Sequence, residues 1–149
     1  MSIIDSFTKD HRFLSNFYQS SFTYKGLTYQ SAEAAFQAQK CEKEEDKIKY
    51  TLIKNPVRAK QMGKKEPNLP DNWDGISFDI MLDVVRAKFS LPENAEKLLA
   101  TGDAELIEGN YHHDNLWGSC MCEKCKTKTG QNRLGRILMQ VREELKERL

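Results

Sequence analysis

The sequence predicts a mainly helical α+β fold in one compact domain, with a small β-hairpin near its N-terminus. Three observations predict it. Apolar residues recur at three- and four-residue spacing through the second half of the chain, the mark of helices with one buried face. One short stretch alternates aromatic and β-branched residues about a turn dipeptide. No internal repeat and no Pro/Gly-rich linker separates a second domain, and 149 residues suffice for a continuous core without a disulfide or a metal.

The elements follow in order. In "FYQSSFTYKGLTY" the alternation flanks Lys25-Gly26, whose glycine takes a positive φ, so the segment reads as the hairpin. Ser31 stands where an N-cap stands, ahead of the strong helix formers "AEAAFQAQK", which predict a helix reaching Lys40. Beyond the charge-dense "EKEEDKIKYTLIK", Asn55 and Pro56 supply a cap and a first-turn proline for "VRAKQMGKK", and "EPNLPDN" closes that pair of helices. From Asp74, Ile76, Ile80 and Val84 with Met81, Val85 and Phe89 describe the strongest central helix. Pro92 opens a short helix with Gly102 as its C-cap, and "AELIEGNY" runs extended into a loop. The final "NRLGRILMQVREELKERL" sets Leu134, Ile137, Leu138, Val141 and Leu145 on one helical face.

Composition excludes several classes of function. A formal net charge of +1, with 39% hydrophobic and 30% charged residues, fits neither a disordered acidic tail nor a strongly basic nucleic-acid binder. The N-terminus lacks an apolar run long enough for a signal peptide or membrane helix, which predicts a cytoplasmic protein with no membrane partner. The cysteines, one at Cys41 and three at Cys120, Cys122 and Cys125, lack the spread spacing of a disulfide framework and read as reduced thiols.

Chemistry-bearing residues concentrate in two places. Glu33, Gln37 and Lys40 are spaced four and three residues apart, which puts a carboxylate and an amine along one helical stripe. In the first turn, the exposed amides favour an ionised Glu33, suited to stabilising a cation or attacking one; burial would act the other way. The plain alternative is an ordinary first-turn glutamate and a solvated lysine. The second place is "EGNYHHDNLWGSCMCEKC". There Asp114 reads either as an acid or base or as the start of an Asx turn with Asn115, and His112 or His113 is a further candidate acid or base. Trp73 and Trp117 stand between turn formers, either as stacking surfaces for a base or as caps on the core. "CMCEKC" would bind one structural zinc if His112, His113 or Cys41 completed the set. Free thiols in a surface insertion are the favoured alternative, because structural zinc sites more often show two separated pairs.

The blocks "FLSNFY", "TYQSAEAAFQAQK", "MLDVVRAKFS", "TGDAELIEGN", "DNLWG" and "GQNRLGRILMQVR" occur in that order from Phe13 to about Glu144. In them the chain resembles the NADAR (YbiA-like) family of N-glycosidases. The resemblance implies a single-domain, mainly helical fold of the YbiA-like type that hydrolyses the bond between a ribose C1 and a nitrogen, with no cofactor required. It implies Glu33, Lys40 and Asp114 as catalytic residues. Asn16, Phe17, Gln37, Trp73, Glu108, Asn110, Trp117 and Gly118 are implied to contact the substrate. Some members act on phosphorylated intermediates of riboflavin biosynthesis; others remove ADP-ribose from guanine in nucleic acid, reversing an ADP-ribosyltransferase toxin. The second substrate is the expectation here, since no fused riboflavin-pathway domain is present in the sequence. The insertion "SCMCEKCKTKT" departs from simpler members, and its Lys124, Lys126 and Lys128 would offer phosphate contacts. Two other classes stand as rivals: a module that binds ADP-ribose without cleaving it, and a zinc-knuckle nucleic-acid protein.

Overall fold

The computed structural model describes residues 2–149. In chain order its elements are β1 (Ile3–Ile4), a 3-10 helix (Lys9–Leu14), β2 (Gln19–Tyr24), β3 (Leu27–Ser31), α1 (Ala32–Ala38), α2 (Glu44–Thr51) and α3 (Pro56–Lys64). There follow α4 (Trp73–Lys88), α5 (Pro92–Ala100), β4 (Glu105–Leu106), β5 (Gly109–Asn110), β6 (Ser119–Cys120) and α6 (Arg133–Glu147). The class is the predicted one, helical with a little sheet. Contacts group the chain into two units: Asn16–Leu91, and the N-terminal residues to Ser15 together with Pro92–Leu149.

In the Asn16–Leu91 unit, β2 and β3 form the predicted antiparallel hairpin, with Phe22 opposite Tyr29 and Tyr24 opposite Leu27. Both turn residues are left-handed, Lys25 at φ 49° and Gly26 at φ 85°, the type I′ geometry that matches the twist of a two-residue hairpin. The Ser31 hydroxyl accepts a hydrogen bond from the Ala34 amide at 3.1 Å, so the chain passes from strand to α1 through the expected N-cap. Every residue of α1 is buried. Its alanines let it lie close against α2, α3, α4 and the hairpin, and Ala32, Ala34, Ala35 and Ala38 join Phe22, Tyr29, Tyr50 and Val84 in one core cluster. A helix this enclosed takes whatever polar side chains it carries inward with it.

The expected continuation of α1 to Lys40 does not occur. The Gln39 side chain donates to the Ala35 carbonyl at 2.9 Å, the acceptor that the Gln39 amide would use in a continued helix. The backbone tightens instead to three-residue spacing, Gln39 to Phe36 and Lys40 to Gln37, each at 3.1 Å. Farther on, Asn55 caps α3 by accepting from the Val57 amide at 3.0 Å, with Pro56 in the first turn as predicted. Helix α4 buries Met81, Val84 and Val85.

In the other unit, Ile3 and Ile4 pair in parallel with Glu105 and Leu106, and α6 packs on both β4 and α5. Leu134, Ile137, Leu138 and Val141 are buried along α6 as its periodicity predicts, while Leu145 is only half-buried. A second parallel pair joins Gly109 to Ser119 and Asn110 to Cys120. These two-residue pairings escape the sequence, because a strand of two residues has no period to read. Among the described residues no helix is long and apolar enough to cross a membrane.

Candidate active site

The first group of expected site residues comes together around α1. The backbone carbonyl of Asn16 accepts the Glu33 amide at 3.0 Å, satisfying one of the donors that a helix start leaves open. Gln37, one turn on, donates its side-chain amide to Glu33 Oε2 at 2.8 Å and so fixes the carboxylate's rotamer. Both side chains are under a tenth exposed, Glu33 at 8% and Gln37 at 6%. Two polar atoms in this group, Asn16 Oδ1 and Gln37 Oε1, are buried without a hydrogen-bond partner. Buried acceptors left open cost free energy unless something else supplies the donor.

Lys40 stands in the turn after α1, its ammonium donating to the Gly63 carbonyl at 3.3 Å and lying 5.8 Å from the centre of the Trp73 ring. Burial lowers its pKa; the nearby Glu33 and Glu66 carboxylates pull the other way, and Lys64 adds to the lowering. Trp73, the first residue of α4, is tilted against Phe36 of α1 with ring centres 5.3 Å apart. Carboxylate, amine and indole therefore line one part of this unit. Phe17 is 37% exposed, with Lys60 above its ring at 5.9 Å.

Two residues here were not singled out from the sequence. Gly63 of α3 faces Gln37, and a Cβ at that position would overlap the Gln37 carboxamide. Its signal was legible in principle: a glycine inside a helical pattern costs about 1 kcal/mol against alanine, so one that persists there points to a close approach. Glu66, which acts on Lys40, gave no such signal. It follows α3 in a Pro-rich loop and is gathered in by Tyr50 at 2.7 Å and Lys49 at 2.9 Å.

The second group, Glu108, Asn110, Asp114, Trp117 and Gly118, lies in the other unit, and its members shape one loop. Asp114 Oδ1 accepts the amides of Leu116 at 3.1 Å and Trp117 at 2.9 Å, which is the Asx turn. Asn110 bridges the same loop, donating to the Asp114 carbonyl at 2.8 Å and accepting the His112 and Asp114 amides at 3.2 and 3.1 Å. The Glu108 amide is held by Asn132 Oδ1 at 2.9 Å, and the Arg133 guanidinium sits 5.8 Å from the Trp117 ring centre. Gly118 packs directly on the Glu108 carbonyl, which leaves no room for a Cβ. In this loop, then, the geometry gives Asp114, Asn110 and Gly118 definite structural work.

The cysteines divide as well. Cys41 belongs to the core cluster around α1, and burial, with Glu66 beside it, pushes its thiol up to about 11. It is not the fourth member of the cysteine group. His113 is: its Nδ1 lies among the sulfurs of Cys120, Cys122 and Cys125.

A family model described as the NADAR domain matches residues 5–146. The chain is 37% identical over 141 residues to a riboflavin biosynthesis protein of Vibrio vulnificus, a match covering 93% of this chain and 37% of that protein. It thus spans little more than a third of that relative's length. To the N-glycosidase YbiA of Escherichia coli (strain K12) it is 34% identical over 144 residues, covering 94% of this chain and 85% of that one. The NMR structure of the E. coli protein YbiA superposes with a TM-score of 0.81 at 32% identity, over 99% of this chain and 86% of that chain.

Proposed function

The chain belongs to the NADAR domain family, and from that membership we propose that it is an N-glycosidase, hydrolysing the bond between a ribose C1 and a nitrogen. The observation that carries this reading is the arrangement on α1: a carboxylate held in place by Gln37, with a burial-depressed amine and an aromatic face beside it. Departure of a base nitrogen builds positive charge on the ribose ring. A carboxylate already oriented by a neighbouring amide stabilises that charge without reorganising, or attacks C1 as carboxylates do in glycoside hydrolysis. Lys40 offers a further route: ring opening leaves C1 as an iminium still carrying the base nitrogen, and the neutral amine of Lys40 adds to C1 and expels the base as its amine. Water then hydrolyses the lysine Schiff base to free the sugar; a lowered pKa increases the neutral fraction. Trp73, half-buried and backed by the buried Phe36, gives a flat ring a surface to stack on.

Within that chemistry the substrate we favour is guanine carrying ADP-ribose in nucleic acid, supported by the aromatic surface beside the carboxylate. The enzyme would then undo the work of an ADP-ribosyltransferase. A second reading, a phosphorylated intermediate of riboflavin biosynthesis, is favoured by the name of the Vibrio relative. Incubation with an ADP-ribosylated guanine oligonucleotide and with phosphorylated ribosylamino intermediates, followed by chromatography of the released sugar, separates the two. Release from neither by folded protein would sink the glycosidase reading. Glu33→Gln should lower kcat by about 10²–10³-fold, the usual cost of removing one preorganised electrostatic group. A module that only binds ADP-ribose would show unchanged tight binding and no turnover in either form.

A further inference from the structure

We propose that His113, Cys120, Cys122 and Cys125 bind one zinc ion as a closed structural centre that clasps the loop of residues 111–130. His113 Nδ1 lies 3.4 Å from Cys125 Sγ, 3.5 Å from Cys122 Sγ and 3.8 Å from Cys120 Sγ. All four ligand atoms fall within 4.8 Å of one another. One imidazole nitrogen has a single lone pair or a single N–H and cannot hydrogen-bond three sulfurs at once. The same spacing is what a tetrahedral centre requires. Zinc–sulfur bonds of about 2.3 Å and a zinc–nitrogen bond of about 2.0 Å at the tetrahedral angle separate nitrogen from sulfur by roughly 3.5 Å.

The backbone is arranged to present these atoms. His113 is left-handed at φ 68°, an uncommon conformation for a residue other than glycine. Between the last two cysteines the chain turns tightly, with the Cys125 and Lys126 amides both on the Cys122 carbonyl at 3.1 and 2.8 Å. The amides of Lys124 and Cys125 also donate to the Cys122 sulfur. Asn115 holds the Cys120 amide at 2.9 Å and bonds the Cys125 sulfur, the kind of outer support that orients metal ligands.

The loop also needs a clasp. Among residues 111–130 only Gly118, Cys120 and Gly130 are buried, and Tyr111, Leu116 and Met121 are exposed. A stretch of that length without an apolar core of its own is uncommon in a folded domain, and a structural metal is one of the standard substitutes. Three cysteines and one histidine are a common structural zinc set, and with four protein ligands no coordination position remains for substrate or water. The centre is therefore structural, and the inference does not depend on the glycosidase reading.

Full-length protein produced in zinc-supplemented medium and passed through a desalting column should carry about one zinc per chain by elemental analysis. X-ray absorption should give one nitrogen and three sulfur neighbours at about 2.0 and 2.3 Å. Cobalt exchanged into the site should show the intense visible bands of a tetrahedral thiolate complex. His113→Ala and Cys125→Ser should lose most of the metal, whereas Cys41→Ser should keep it. Removal of zinc by a strong chelator should raise amide exchange in residues 111–130 and leave α1 and α4 protected. Because the absorption spectrum is read on the unaltered protein, it decides the ligand set even if a variant fails to fold. Metal-free folded protein, a shell other than one nitrogen and three sulfurs, metal retained by both ligand variants, or a disulfide among the three cysteines would each overturn the assignment.

Discussion

At the residue scale, Lys40 shows how position rather than identity decides chemistry. A lysine in water is almost wholly protonated at neutral pH, since its ordinary pKa is about 10.4. Here burial is the largest influence and lowers the value, with Glu33 and Glu66 opposing it. If the amine attacks the opened sugar, kcat/KM should rise with pH through a titration lying below the ordinary lysine value, and Lys40→Arg should abolish that limb. Borohydride added during turnover should leave a reduced sugar adduct on the native protein and none on Lys40→Gln. An adduct-free native enzyme that still turns over would leave Glu33 as the group that meets C1. Spacing in the sequence placed Glu33, Gln37 and Lys40 on one stripe; the Glu33–Gln37 hydrogen bond at 2.8 Å agrees for that pair, whereas Lys40 lies in the turn past the end of α1. Nothing in that spacing distinguished a buried stripe from a solvated one, because the alanines and Phe36 around it suit either a surface or a central helix.

At the scale of the elements, α1 carries the candidate site because it is short, capped and enclosed. Ser31 starts it, Gln39 stops it, and Gly63 of α3 lets the Gln37 carboxamide lie flush against a neighbouring backbone. Gly63→Ala would force Gln37 away from Glu33, since the added methyl and the carboxamide claim the same space. The substitution should cost about 1–3 kcal/mol of stability, as overpacking generally does, even though alanine is the better helix former. It should also lower kcat without touching the carboxylate itself. A urea melt and steady-state rates on the same preparation check both effects; a stabilised variant with native kcat would contradict the packing account. The cap and the hairpin were legible in the sequence because both are local devices, a serine before a helix and a turn dipeptide between alternating residues. The premature end of α1 was not, because it depends on where one glutamine side chain points.

For the whole molecule, the near-neutral charge conceals an ionic cluster at Glu66, half-buried and paired with the exposed Lys49, that makes stability depend on acid. Burial pushes Glu66 up, but hydrogen bonds from Tyr50, Lys49 and Cys41 together with the Lys49 charge outweigh it and hold the carboxyl below its usual value. A depressed carboxyl contributes stability that is fully present above its unfolded pKa, near 4.3, and is lost as pH falls through its lower folded value. Glu66→Gln should therefore flatten the acid side of the stability curve between pH ~5 and ~3 and cost roughly 1–2 kcal/mol at neutrality, the difference between a charged and a neutral hydrogen bond. Chemical melts across that range would show a native slope in the variant if Glu66 were not the group responsible. By itself the sequence determined the helical class, the hairpin, the caps and the candidate groups, because periodicity, turn residues and motif blocks act over a few neighbouring residues. Only the tertiary structure decided that Glu33 and Gln37 are buried, that Lys40 is desolvated, and that Asp114 holds an Asx turn. It also selected His113 and excluded Cys41 from the cysteine cluster. Those outcomes depend on which distant segments exclude water from a side chain and which donors reach it, and neither quantity is encoded in local spacing.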